Sequence, residues 1–237
     1  MTGFFGECAS RPLIAGHRGY KAKYPENTML SYRKALELGV DMLEIDLRLS
    51  RDGQLVLMHD AKLDRTTNGT GRVESHTLKE LLALDAGLGE RIPTFEEFLA
   101  WVRGTGLFLN VEIKTKTHEA VDRAVALLER YGMLEPSVIA CFDAGITEYA
   151  CRQYGAKTQG FPRHAMKKFK RDSYSFLYSV GIEMRDLTPA LVDEFNGRGI
   201  QPWCWCPDTA GEVEHMRACG ATLCTCNDPG AAIRLLR

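Results

Sequence analysis

A short apolar stretch recurs eight times along this chain, with helical patterns between the stretches, and that recurrence constrains the fold more than any other feature. Runs suited to buried strands lie at 13–17, 42–48, 107–114, 136–142, 156–160, 180–184, 199–205 and 222–226. Amphipathic patterns fall near 94–103, 117–130, 144–153, 188–197, 208–218 and 228–236. The first helix is the clearest: Met29, Tyr32, Leu36 and Val40 form a stripe, Asn27 stands at the cap position, and Gly39 ends it. Residues 163–178 are basic and read as loop. Alternating β and α segments imply a parallel sheet. Eight of them in 237 residues imply an α/β fold, a closed (β/α)8 barrel forming one domain over 1–237. One interruption follows the second strand. A hairpin and the stretch DRTTNGTGRV imply an insertion over about 60–93, placed across the barrel mouth.

Composition removes several classes of function. The 30 Lys and Arg against 31 Asp and Glu lack the basic footprint of a nucleic-acid binder. No apolar run approaches the ~20 residues that span a bilayer, so no stable membrane insertion is expected. The segment MTGFFGECASRPLIAGH has neither a basic n-region nor a clear h-region. The 8 cysteines include no CxxC pair. Reduced thiols in a cytoplasmic protein are the expectation.

Two strands carry an unusual face. Along 42–49, Leu43, Ile45, Leu47 and Leu49 share one side, and Met42, Glu44, Asp46 and Arg48 the other. Along 107–114, Phe108, Asn110, Glu112 and Lys114 oppose Leu107, Leu109, Val111 and Ile113. With the apolar faces against helices, three acids point into the barrel. Buried carboxylates need compensation. One reading pairs Glu44 with Arg48 and Glu112 with Lys114. The other places a divalent cation among Glu44, Asp46 and Glu112, and all-oxygen ligands favour Mg²⁺ or Ca²⁺.

Two histidines join them. His17 ends the first strand. The Arg51-Asp52-Gly53 turn folds the hairpin back and sets His59 opposite Glu44–Ile45. Imidazoles suit acid–base work near neutral pH, and Arg18 and Lys114 supply fixed charge for an oxyanion or phosphate. Together these groups point to displacement at phosphorus, one imidazole removing a proton and the other protonating the leaving alkoxide.

The segments GHRGYKAKYPENT (16–28), EIDLRLSRDGQLVLMHD (44–60), LDRTTNGTG (63–71), IPTFEEFL (92–99) and VEIK (111–114) resemble the glycerophosphodiester phosphodiesterase family. CFD (141–143), Trp205 and NDP (227–229) continue the likeness more loosely. The resemblance implies a TIM barrel that hydrolyses a small glycerophosphodiester to an alcohol and sn-glycerol 3-phosphate. It implies metal ligands at Glu44, Asp46 and Glu112, an acid–base pair at His17 and His59, and phosphate contacts at Arg18 and Lys114. It sets Trp205 beside the glycerol. Attack by the substrate's own hydroxyl, through a cyclic phosphate, and attack by water are both open. A lysophospholipase D-type or cyclising enzyme acting on lysophospholipids is the alternative; it needs an apolar channel at the mouth, from 161–178 and the insertion.

Departures from the family are Cys141, Cys206, Cys226 and Asn227, which replace its usual Ser, Thr, Thr and Asp. Cysteine serves there as a small, weakly polar stand-in; reactive pocket thiols are the sharper reading. A four-thiolate zinc site at Cys204, Cys206, Cys224 and Cys226 lacks the usual CxxC turn. Lys167–Arg171 reads as a solvated face, with contact to anionic lipid as its minor reading.

Overall fold

The computed structural model describes residues 11–237, so the N-terminal segment read for a targeting signal lies largely outside the described residues. Eight parallel strands form a barrel: β1 (Leu13–His17), β2 (Met42–Leu49), β4 (Phe108–Ile113), β5 (Ser137–Ala140), β6 (Thr158–Gly160), β7 (Ser179–Glu183), β8 (Gln201–Trp205) and β9 (Leu223–Cys226). The sheet closes because β1 pairs with both β9 and β2. β3 (Leu55–Leu57) is the returning arm of the hairpin and runs antiparallel to β2, with Leu47 opposite Leu57.

Side-chain alternation decides what each strand buries. Leu43, Ile45 and Leu47 face outward into the main apolar cluster shared with the helices. Inside the barrel, Leu13, Ala15, Met42, Val138, Trp203 and Leu223 pack into a separate plug. Polar inward residues lie above that plug, toward the C-terminal ends of the strands. Outside, Tyr32 and Phe98 meet edge to face at 4.8 Å with neither ring exposed. Burying an aromatic of this size contributes about 1.5–3 kcal/mol.

The surrounding helices are α1 (Met29–Leu38), α3 (Phe95–Val102), α4 (His118–Arg130), α5 (Ala144–Tyr154), α6 (Pro189–Gly197), α7 (Ala210–Ala218) and α8 (Gly230–Leu236), while the short α2 (Leu78–Leu82) belongs to the insertion. Threonine caps most of them. Thr94 and Thr209 each form a capping box with the glutamate three residues on. The cap of α1 is Thr28, whose hydroxyl accepts from the Ser31 N–H, and not Asn27 as the sequence suggests. Asn27 sits at φ 56 and is drawn inward, because its amide donates to Asp46. Gly39 ends α1 in the left-handed conformation, φ 92.

After β6, in the segment read as loop, two 3₁₀ turns, Arg163–Ala165 and Ser173–Phe176, stand where a regular (β/α)8 barrel carries a helix. In this basic segment Lys168 pairs with Asp143 at 3.0 Å and Lys170 with Glu148 at 3.2 Å. The insertion has its own small core of Val56, Met58, Leu63, Val73, Leu81, Ala86 and Ile92. Arg65 ties it to the barrel by donating to Glu26, at 2.7 and 3.0 Å, in the loop between β1 and α1.

Candidate active site

Register brings the acids together. Asp46 on β2 lies beside Glu112 on β4, and Glu44 lies between His17 and Asn110. One carboxylate oxygen from each of Glu44, Asp46 and Glu112 falls within 4.8 Å of the others. It is the one group of its kind among the described residues. Lys114 Nζ stands 2.6 Å from Glu112 and 3.2 Å from Asp46. Arg18 Nε is 3.1 Å from Asp46, and the Arg18 backbone N–H donates to Glu44 at 3.0 Å. The tight loop after β1 makes that donation possible. Gly19, at φ +84, lies so close to α1 that a Cβ there would stand 2.4 Å from Ser31 Oγ.

Five ionisable groups therefore share one buried volume, three acidic and two basic. Burial opposes ionisation of Asp46, but Lys114 and then Arg18 hold its carboxyl below the ordinary range. Burial, followed by the charge of Asp46, pushes Glu44 well up. Burial also pushes Glu112 up, against the pull of Lys114. Asp46 Oδ1, fully buried, has the Lys114 ammonium 3.2 Å away but no well-aligned hydrogen-bond donor among the described residues. An excess of buried carboxylate oxygens over donors fits a hard divalent cation. The ion-pair reading holds in part: Lys114 pairs with Glu112, but Arg48 is turned away from Glu44 and donates to the His59 carbonyl at 2.6 and 2.9 Å.

Both imidazoles line the same cavity of about 130 Å³, with Arg18, Lys114 and Trp205. His17 Nε2 is 3.7 Å from Glu44, and its Nδ1 is 2.7 Å from Asn227 Oδ1. Burial, then the neighbouring Arg18 charge, lowers its pKa to about 3. His59 Nδ1 is 2.6 Å from Asp60. Burial lowers the His59 pKa, against the nearby charge of Asp46. Asp60 is gripped by Arg65, at 2.6 and 3.1 Å, and Arg65 grips Glu26, which also accepts from Arg18 at 2.9 Å. A chain of alternating charge thus runs from His59 through the insertion to Arg18.

Sequence reasoning did not anticipate several contributors. Asn27 and Tyr32 form a buried relay to Asp46, with Tyr32 Oη donating to Asn27 Oδ1 at 2.7 Å. Phe142 and Phe161, stacked at 3.5 Å, form an apolar wall of the cavity. Deeper in, Asn110 donates to Gln159 at 2.7 Å and Trp203 to Thr225 at 2.7 Å. The inward periodicity of β4, β6, β8 and β9 is the signal that could have found the floor. The thiols divide differently from the expectation. Cys141, Cys204, Cys224 and Cys226 face the apolar cluster outside the barrel, whereas Cys206 approaches a histidine of the site, 3.4 Å from His17 Nδ1.

A phosphorus-directed hydrolase on an α/β barrel is the class this geometry defines, and comparison with known proteins narrows it. The sequence model of the glycerophosphoryl diester phosphodiesterase family matches residues 17–144. The chain belongs to that family. It is 29% identical to a glycerophosphodiester phosphodiesterase of Caldanaerobacter subterraneus subsp. tengcongensis, over 96% of this chain and 98% of the relative. It is 37% identical to a glycerophosphodiester phosphodiesterase of Bacillus subtilis, over 52% of this chain and 48% of the relative. Among solved structures, a phosphodiesterase of Oleispira antarctica in complex with the product sn-glycerol-3-phosphate superposes with a TM-score of 0.87 at 23% identity, covering 96% of this chain and 98% of the other. A putative glycerophosphoryl diester phosphodiesterase of Silicibacter pomeroyi gives a TM-score of 0.86 at 23% identity, covering 95% and 92%. At these identities the structures establish the barrel.

Proposed function

We propose that this chain hydrolyses glycerophosphodiesters to an alcohol and sn-glycerol 3-phosphate, using one divalent ion, Mg²⁺ or Ca²⁺, held by Glu44, Asp46 and Glu112. The observation that carries the reading is the meeting of those three carboxylates within 4.8 Å in a site also lined by two imidazoles, Arg18 and Lys114. When bound, the ion supplies positive charge to the phosphate and acidifies a hydroxyl or water beside it. Arg18 and Lys114 hold the phosphate oxygens against the acids. One imidazole, His17 or His59, accepts the proton of the attacking hydroxyl or water as its oxygen bonds to phosphorus. The bond from phosphorus to the departing alcohol breaks, and the other imidazole returns a proton to that alcohol. Trp205 lies against the glycerol, and its buried indole N–H, without a partner among the described residues, is left as a donor to it.

The cavity, about 130 Å³, is smaller than the ~300 Å³ at which pockets for larger ligands begin. That favours a glycerophosphate-sized occupant over an acyl-bearing one. The chain is taken to act as one domain over 1–237 on a small molecule, with no nucleic-acid partner. A cytoplasmic setting accords with the free thiols of the described cysteines. Among the described residues no helix is long and apolar enough to cross a membrane.

The test is a substrate panel with coupled detection of glycerol 3-phosphate, run after chelation and with Mg²⁺ or Ca²⁺ restored. Metal-dependent release from glycerophosphocholine or a related diester is expected. Preference for lysophosphatidylcholine moves the assignment to the lysophospholipid reading. Full turnover by chelated protein makes the carboxylates structural.

A further inference from the structure

Asn227 follows β9, and Asp208 precedes α7. Neither belongs to the groups assigned above to the reaction, yet together they reach one of its imidazoles. Asn227 Oδ1 lies 2.7 Å from His17 Nδ1. The Asn227 amide nitrogen donates to Asp208 Oδ2 at 2.6 Å. Asp208 Oδ1 accepts from the backbone N–H groups of Asn227, at 2.6 Å, and Asp228, at 3.0 Å. The carboxylate is thus held by three donors.

The chemistry of donors and acceptors fixes the rest. A carboxylate only accepts, so the amide must turn its NH₂ toward Asp208 and its carbonyl toward His17. A carbonyl oxygen 2.7 Å from a ring nitrogen requires a proton on that nitrogen. Cys206 Sγ, 3.4 Å from the same nitrogen, is a weak acceptor and does not alter the outcome. Neutral imidazole carries one ring proton, so Nε2, the nitrogen 3.7 Å from Glu44, holds the lone pair.

We infer that Asp208 and Asn227 are positioning residues: Asp208 orients the Asn227 amide, and the amide locks His17 in the Nδ1–H tautomer with Nε2 as a proton acceptor facing the site. The consequence for turnover rests on His17 carrying a proton in the proposed reaction; the tautomer itself is measurable without turnover. Asp208→Asn is the sharp variant, because it is isosteric. It offers an NH₂ where the carboxylate stood, which lets Asn227 flip, donate to His17 Nδ1 and put the lone pair on the wrong nitrogen.

The experiment is a ¹H–¹⁵N correlation of histidine ring nitrogens in the intact protein at neutral pH, with the His17 signals identified by their loss in His17→Asn. Wild type is expected to show a protonated-type Nδ1 and a pyridine-type Nε2. In Asp208→Asn the two signals exchange character, and kcat falls about 10–100-fold, as for other residues that orient a functional imidazole, with KM nearly unchanged. Asn227→Ala loses the fixed tautomer as well. The double variant D208N/N227D restores an acceptor to His17, a donor to residue 227 and the wild-type ring signals. A purely structural role lowers the melting temperature without exchanging the ring signals, and overturns the inference. So does a wild-type His17 protonated at Nε2, or a folded Asp208→Asn that keeps the wild-type pattern. If the signals exchange as expected while His17→Asn itself retains turnover, the orientation stands and the proposed reaction role of His17 falls.

Discussion

Each imidazole at the site has its Nδ1 occupied by a different kind of partner: the neutral amide of Asn227 for His17, and the carboxylate of Asp60 for His59. The rings are held and not free to swing, so in the proposed reaction replacing either removes a placed proton carrier. His17→Ala and His59→Ala are each expected to lower kcat by about 10²–10⁴-fold, assayed as glycerol 3-phosphate release with the fold checked by circular dichroism. A folded variant with unchanged turnover removes that histidine from the reaction. The thiol beside His17 is a different matter. Burial, then the charge of Asp208, pushes Cys206 up to about 12, so it is protonated and weakly nucleophilic at neutral pH. Treatment with a thiol-blocking reagent is expected to leave activity intact, and loss against which substrate protects contradicts this. Glu44, Asp46, Glu112 and Lys114 were legible as one inward face because a strand's period of two is a local property. The Asn227 contact to His17 was not, since it joins positions 210 residues apart.

The loop between β1 and α1 carries more of the site than its length suggests. Glu26, in that loop, accepts from both Arg18 and Arg65. Burial raises its pKa, but Arg65 and then Arg18 outweigh this and bring it to about 2. A carboxyl depressed by folding adds stability above its unfolded pKa and loses it as pH falls through the folded value. Glu26→Gln is therefore expected to lose on the order of 3 kcal/mol at pH 7, read by urea denaturation. The deficit shrinks below about pH 4.5 and disappears near pH 2, so a difference constant with pH contradicts the account. Strand and helix positions were legible to within a few residues, because apolar periodicity marks them. The cap of α1 was misjudged by one residue, because Asn27 satisfies Asp46 in place of the helix end, a tertiary demand that no local pattern announces. The helix missing after β6 left only a weak and basic pattern in sequence, in keeping with the turns found there.

At the scale of the whole molecule, closure of the barrel and the charge balance of its mouth are linked. Three buried carboxyl groups against two cations cannot all ionise without repulsion, which a divalent ion bound as proposed would relieve. Saturating Mg²⁺ or Ca²⁺ at about 100 times its Kd is expected to stabilise the fold by about 2.7 kcal/mol. That corresponds to a rise in Tm of roughly 5–10 °C for a chain of this size. Glu112→Gln is expected to abolish most of that rise, and an equal rise in the variant places the ion elsewhere. Eight strand signals made barrel closure legible, whereas the depth of the cavity depends on the plug around Trp203, which sequence does not rank against other buried aromatics. At the opposite end of the barrel Asp41 accepts from Arg11, at 2.7 Å, and also pairs with Arg237. The first and last described residues are thus stapled to one side chain, on the side remote from the reaction. A circular permutant of the described barrel that joins Arg237 to Arg11 through a short flexible linker and opens at an exposed turn such as Gly104 should therefore fold and turn over normally, since the loops that do chemistry never sense where the polypeptide is cut.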